Sequence, residues 1–140
     1  MAKSISPILF SLMLCITGSL YAQKNNLTVE IKGFENIKAT KIMVSVFSKD
    51  NFLDTSPYRK SVPASGNKVS VNFNLPPGEY AVATYHDLNN NKELDRRFYG
   101  KPKEPYGFSN NVRPFGKPKF DKCKFSINTS SKVISINLKD

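Results

Sequence analysis

Residues 75–87 read LPPGEYAVATYHD, and the fold turns on them. Pro76 and Pro77 cannot donate to a strand ladder, so they end whatever strand precedes them. Gly78 follows and is expected to take a backbone conformation that other residues resist. From Tyr80 to His86 the chain is apolar on both sides, the pattern of a central strand. Period-two alternation recurs outward from here. Leu27, Val29 and Ile31 alternate with polar neighbours; Ile42, Val44 and Val46 share one face of KIMVSVF; Val69, Val71 and Phe73 share one face of VSVNF. Cys123, Phe125 and Ile127 form a further inward row, and Ile134, Ile136 and Leu138 close the chain. No window carries a helical stripe, although KDNFLDTSPYRK at 49–60 has room for one short turn. Many short strands divided by Gly, Pro and Asn turns predict an all-β antiparallel sandwich.

The beginning of the chain stands apart. Lys3 precedes the apolar run PILFSLMLCITGSL, and LYA ends at Ala22 with a small residue. That is the layout of a secretory signal peptide, so residues 1–22 are expected to be cleaved and 23–140 to form a single domain in the periplasm or outside the cell. Leu14 stands where a lipid anchor on Cys15 would need a small residue. No later stretch is apolar enough to span a bilayer. A domain of this size hides roughly two-thirds of its unfolded surface, enough for a core without staples. With Cys15 removed, Cys123 has no partner for a disulfide and is expected to be a buried structural thiol.

Charge is the loudest feature of the composition. Without Lys3, 20 basic residues face 11 acidic ones. Export weighs against nucleic acid as the counterpart and favours an acidic polysaccharide, lipid phosphate or acidic protein surface. Against any such specific use, Lys32, Lys38, Lys41, Lys49 and Lys68 form no block and read as a solvated surface.

Residues 100–119, GKPKEPYGFSNNVRPFGKPK, show no regular alternation and hold four prolines. The unit Gly-Lys-Pro-Lys occurs twice, at Gly100–Lys103 and Gly116–Lys119, on either side of an aromatic and amide-rich centre. Connections this long inside a compact domain are usually functional or disordered. Tyr106, Phe108 and Phe115 argue against disorder. Either the segment packs over the sandwich as a lid, or it displays aromatics and bases to a partner.

The loop HDLNNNKELD, His86–Asp95, gathers oxygen carriers at alternate positions. Counting Asp87 as one, Asn89 is three, Asn91 five, Glu93 seven and Asp95 nine, the spacing by which a turning chain aims ligands at calcium. Leu94 would point inward as an anchor. Lys92 occupies the place of the turn glycine and Phe98 that of the bidentate glutamate, so calcium, if held, is held weakly. The alternative is an Asx-rich turn that bonds its own backbone. His86 is the single histidine and has no Ser or Cys elbow to serve, so a backbone-bonded position at the core edge is expected. Zinc clusters and phosphate-cradling glycine loops are absent from the sequence.

LPPGEY resembles the turn that precedes a core strand in prealbumin-like and other immunoglobulin-like extracellular modules, which implies a seven-stranded Greek-key sandwich. The longer stretch from Leu75 to Asn111, LPPGEYAVATYHDLNNNKELDRRFYGKPKEPYGFSNN, closely resembles the hallmark segment of a bacterial secreted family, domain of unknown function 2141. The pattern runs through Gly78 and Tyr80, then His86 and Asp87, then Asn89, Asn91, Leu94 and Asp95. It continues through Gly100, Pro102, Glu104, Tyr106, Gly107, Phe108, Ser109, Asn110 and Asn111. Lys92 stands where the family often has glycine. The resemblance implies an exported β-sandwich and names no reaction.

Together these residues suggest that His86–Asp95 and Glu104–Asn111 form one polar site at an end of the sandwich. Glu104, Asn110 and Asn111 would complete a cation shell or hydrogen-bond a sugar, with Tyr106 and Phe108 as stacking surface. The expected function is non-enzymatic binding of an envelope polysaccharide or protein, with an acidic partner favoured and calcium as the one candidate cofactor. One rival is a secreted enzyme using His86, Asp87 and Glu104 as acid–base groups on a glycan or ester. Another is a structural accessory subunit of an envelope complex, marked by an exposed apolar edge strand.

Overall fold

A computed structural model describes residues 26–140; the expected signal segment at 1–22 lies outside the described residues. Eight strands form two sheets. They are β1 (Leu27–Lys32), β2 (Lys41–Phe47), β3 (Tyr58–Pro63), β4 (Lys68–Phe73), β5 (Gly78–Asp87), β6 (Tyr106–Phe108), β7 (Phe125–Ile127) and β8 (Lys132–Asn137). A 3-10 turn at Ser109–Asn111 follows β6, and a short α-helix, α1 (Phe120–Cys123), precedes β7. The smaller sheet has the order β4-β1-β8, with β1 antiparallel to β4 and parallel to β8. The larger runs β3-β2-β5, and the far edge of β5 is shared: β7 pairs with Gly78–Tyr80 and β6 with Ala83–Tyr85.

Alternation builds the core as expected. Leu27, Val29 and Ile31 of the small sheet and Ile42, Val44 and Val46 of the large one are wholly buried in one cluster, with Val71, Phe73, Tyr80, Val82, Phe125, Ile127 and Ile136. Each such side chain contributes about 1.5–3 kcal/mol when taken from water, which fixes the strand register. β5 is buried on both faces. Val82, Thr84 and His86 lie opposite Val46, Val44 and Ile42 and face the other sheet. Ala81 and Ala83 face outward, under a second cluster made by Phe108, Phe120 and Cys123 with Phe52 and Leu53.

The turn before β5 is locked by side chains. Asn26 donates to the Leu75 carbonyl at 2.6 Å and accepts the Leu75 N–H at 2.9 Å. The Tyr80 hydroxyl donates to the Pro76 carbonyl at 2.8 Å.

Four sequence expectations are corrected. Gly78 is not among the residues of positive φ; it opens β5 in ordinary conformation, because the two prolines already turn the chain. Cys123 is not on a strand with Phe125: it ends α1 and packs on the outer face of the large sheet, while Phe125 and Ile127 enter the inter-sheet core. Its thiol is free and buried as expected, and burial pushes its pKa up. The strand count is eight among the described residues rather than seven, because Tyr58–Pro63 and Tyr106–Phe108 pair as well. Both are short or polar and escape a search for apolar alternation. Finally, the segment 100–119 is lid and display at once: Phe108 is buried against β5, whereas Phe115 is fully exposed.

Candidate functional site

Two places concentrate chemistry: the pole where β5 ends, and a groove on the outer face of the large sheet.

At the pole, β5 delivers His86 and Asp87 side by side, pointing to opposite faces of the sheet. His86 is fully buried, edge-on to Phe34 with ring centroids 6.0 Å apart. Its Nε2 lies 2.7 Å from Thr40 Oγ1. That hydroxyl gives its one hydrogen to the Ile37 carbonyl at 2.7 Å, so it accepts from Nε2–H and leaves Nδ1 unprotonated. Nδ1 has no partner. Desolvation lowers the His86 pKa, opposed by the nearby Glu35 and Asp87 charges. A cavity of about 480 Å³ beside His86 is lined by Glu35, Leu88, Lys103 and Pro105 among others.

Asp87 and Glu104 are both buried, and every carboxylate oxygen is in use. Asp87 accepts the Asn91 N–H at 3.2 Å on one oxygen and the Lys92 N–H at 2.9 Å on the other. Glu104 accepts the Leu88 N–H at 2.9 Å and the Asp95 N–H at 3.2 Å. Burial raises the Glu104 pKa, with Asp95 and Asp87 adding to the rise and the two N–H donors opposing it. The expected closeness of Glu104 to the Asx loop is therefore present.

The rest of the loop is self-satisfied. Asn89 and Asn91 donate their side-chain amides to Asp95 at 2.6 and 3.0 Å, and their carbonyl oxygens accept the N–H groups of Asn91 and Glu93 at 3.2 and 2.9 Å. Calcium needs six or more oxygens converging on one point. Here the amide nitrogens rather than the oxygens meet Asp95, and Glu93 is exposed. Among the described residues no group of three His, Cys, Asp or Glu is placed to hold a metal. As folded, the loop's amides and carboxylates are engaged with one another and with loop N–H groups.

Asn110 and Asn111 go elsewhere. β6 runs antiparallel to β5, which carries the chain away from the pole. Asn110 donates to the Lys122 and Lys124 carbonyls at 3.1 and 3.0 Å. Asn111 docks on β8 like a piece of neighbouring strand, donating to the Ser135 carbonyl at 3.1 Å and accepting the Asn137 N–H at 2.8 Å. Tyr106 and Phe108 are on the outer face of the large sheet, level with Tyr85 and Ala83. Leu94 does not anchor the core; it is half-buried at the edge of the groove.

That groove has a volume of about 940 Å³, at the upper end for ligand sites. Its floor is Ala83, Tyr85, Tyr106 and Phe108. One wall is a small hairpin, residues 95–103, closed by the Arg96–Pro102 bridge and the Lys103 N–H to Asp95 carbonyl bond at 2.8 Å. The other wall is residues 114–118. The first wall contains the copy Gly100–Lys103, and the second contains the first three residues of the copy Gly116–Lys119. Gly100 and Gly116 have φ of 89° and 84°, the left-handed region that glycine enters without strain, so both copies turn the chain at the same point. Lys101 and Lys117 thus line one groove, joined by Arg96, and no acidic residue lines it. None of the three takes part in an ion pair among the described residues. The repeat was the sequence signal for this site, but nothing in a linear chain shows that its copies face each other.

Fold and site together define an all-β, two-sheet module with a loop-walled groove on its outer face. A family profile described as an uncharacterized protein conserved in bacteria, domain of unknown function 2141, matches residues 29–135, and the chain belongs to that family. No curated protein and no solved structure matches the chain.

Proposed function

We propose that the protein is an exported, non-enzymatic binding module that holds an acidic envelope polymer, polysaccharide or protein, in the groove. The observation that carries this is the convergence of Lys101, Lys117 and Arg96 on one aromatic-floored groove with no acidic lining. Tyr and Phe faces supply stacking area at small entropic cost, and unpaired cations select an anionic partner. Export is supported by the charge and apolar layout of residues 1–22. No helix among the described residues is long and apolar enough to cross a membrane. An immunoglobulin-like arrangement is supported by the Tyr80 hydroxyl reaching back to Pro76, a contact typical of such sandwiches.

The enzymatic alternative needs free acid–base groups. Asp87 and Glu104 spend their oxygens on backbone N–H groups, and His86 is held between Thr40 and Phe34. The accessory-subunit alternative needs an open edge. Val133 on edge strand β8 is 63% exposed, but Asn111 and Arg113 already occupy backbone groups of that strand. In this proposal the Asx loop is held by its own hydrogen bonds and by those it makes with Glu104, Ala39 and Arg59, and calcium is not required to hold it.

Binding of polygalacturonate against neutral dextran tests the proposal. The acidic polymer should bind, with affinity falling as salt rises, and the double variant K101Q/K117Q should weaken it about tenfold. Equal binding of both polymers, or no loss in the double variant, would refute it.

A further inference from the structure

Phe98 and Phe115 are fully exposed. Soluble proteins scatter single apolar residues over their surfaces, but two phenylalanines standing clear of a fold on the two loops that wall one groove need a counterpart. Phe98 is at the tip of the 95–103 hairpin and stacks edge-on against Tyr99, centroids 5.1 Å apart. Tyr99 and Phe115 line the groove from its two walls. Phe98 and Tyr99 on one wall and Phe115 on the other are the exposed rings of this aromatic lip.

Cations share the two loops with these rings, and Arg96, Lys101 and Lys117 line the groove with Tyr99 and Phe115. Arg96, Arg97, Lys101 and Lys103 on the hairpin, and Lys117 and Lys119 on the opposite wall, are all exposed. Of the carboxylates near them in sequence, Asp95 and Glu104 accept from Asn89, Asn91 and the Leu88 and Asp95 N–H groups, and Asp121 lies 3.9 Å from Lys124, while Glu93 is exposed. Aromatic tips surrounded by lysine and arginine match one environment in particular. In the interface of an anionic bilayer, rings rest at the headgroup level and ammonium and guanidinium groups meet phosphates. A dissolved polyanion complements the cations but leaves Phe98 in water, since Phe98 does not line the groove.

From this charge complementarity and the lip's exposure, we infer that the protein docks on an anionic phospholipid surface, inserting Phe98 and Phe115 and presenting its groove to whatever polymer emerges there. The inference rests on the proposed function only in taking the groove's basic rim as a binding surface.

The whole chain contains no tryptophan, so F98W supplies a sole indole reporter. Vesicles of phosphatidylcholine containing phosphatidylglycerol should carry the protein down in sedimentation and shift the F98W emission to the blue; pure phosphatidylcholine should do neither. F98S should weaken vesicle binding about tenfold, the effect of removing one phenylalanine from an apolar contact, while leaving polygalacturonate binding intact. K101Q/K117Q should weaken both. Absence of vesicle binding overturns the inference, as does binding to which F98S and the F98W emission are indifferent. Loss of polygalacturonate binding with vesicle binding retained would sink the polymer proposal alone.

Discussion

Gly107 lies so close to Ile136 that a β-carbon on it would come within 2.6 Å of the Ile136 Cγ2 methyl and 3.1 Å of the Asn137 carbonyl oxygen. β6 belongs to the large sheet and β8 to the small one, so the two sheets touch here at backbone distance. The isolated bridge between Tyr106 and Lys139 closes the same seam, with both N–H to carbonyl bonds at 3.0 Å. Gly107→Ala should destabilise the fold by about 1–3 kcal/mol through overpacking, since a β-branched side chain has little room to turn aside. Chemical denaturation would measure it; an unchanged midpoint would remove the contact.

Thr84 faces the other sheet, and its hydroxyl is buried with no hydrogen-bond partner among the described residues. Thr84→Val keeps the shape and removes the unsatisfied group, so it should stabilise by about 1 kcal/mol. A lower melting temperature in the variant would show that the hydroxyl is satisfied after all.

Glu104 ties two stretches of the polar pole by accepting from Leu88 and Asp95. Glutamine has one acceptor oxygen and turns an NH₂ group toward the second donor. Glu104→Gln should therefore cost about 1–3 kcal/mol and raise hydrogen exchange at both amides. Exchange at Leu88 and Asp95 as slow as in the parent protein would contradict the arrangement.

Stability near neutral pH should carry the mark of His86, the only histidine. Its folded pKa is lowered by desolvation from 6.5, so the unfolded chain binds its proton first as pH falls. The folded state is thus fully favoured above pH 6.5 and loses ground below it, down through the lowered value. Glu104 acts with the opposite sign at lower pH. Its folded pKa is raised above 4.5, so the folded state takes up its proton first and gains as pH falls through that window. His86→Gln should flatten the upper limb of a stability–pH curve; persistence of the same slope would assign it to another group.

Calcium gives a further check on the Asx loop. Because Asn89 and Asn91 turn amide nitrogens to Asp95, the ion should leave the melting temperature unchanged at millimolar concentration, as should a chelator. A rise with calcium would mean that both amides flip to present oxygen.

Strands with apolar alternation, such as Leu27–Ile31 and Ile42–Val46, were legible because period two and burial coincide. Tyr58–Pro63 carries Arg59, Lys60 and Ser61 on an edge, so its pairing leaves little hydrophobic trace. Cys123 and Phe125 looked like one inward row because adjacent odd positions mimic a strand; α1 rotates the chain between them. At the candidate site, the joining of Glu104 to the Asx loop was expected from clustered polar residues. The departure of Asn111 to β8 was not, because it follows from the direction of β6. The groove itself depends on two loops meeting across a sheet, which no local pattern encodes.

β1 and β8, the first and last strands of the described chain, lie side by side and parallel from Leu27–Lys132 to Lys32–Asn137. Tension applied at the two ends would pull these strands past each other, loading the rungs of the ladder in shear and all together, where an antiparallel terminal pair would unzip one rung at a time. A module of this build resists stretching along its length.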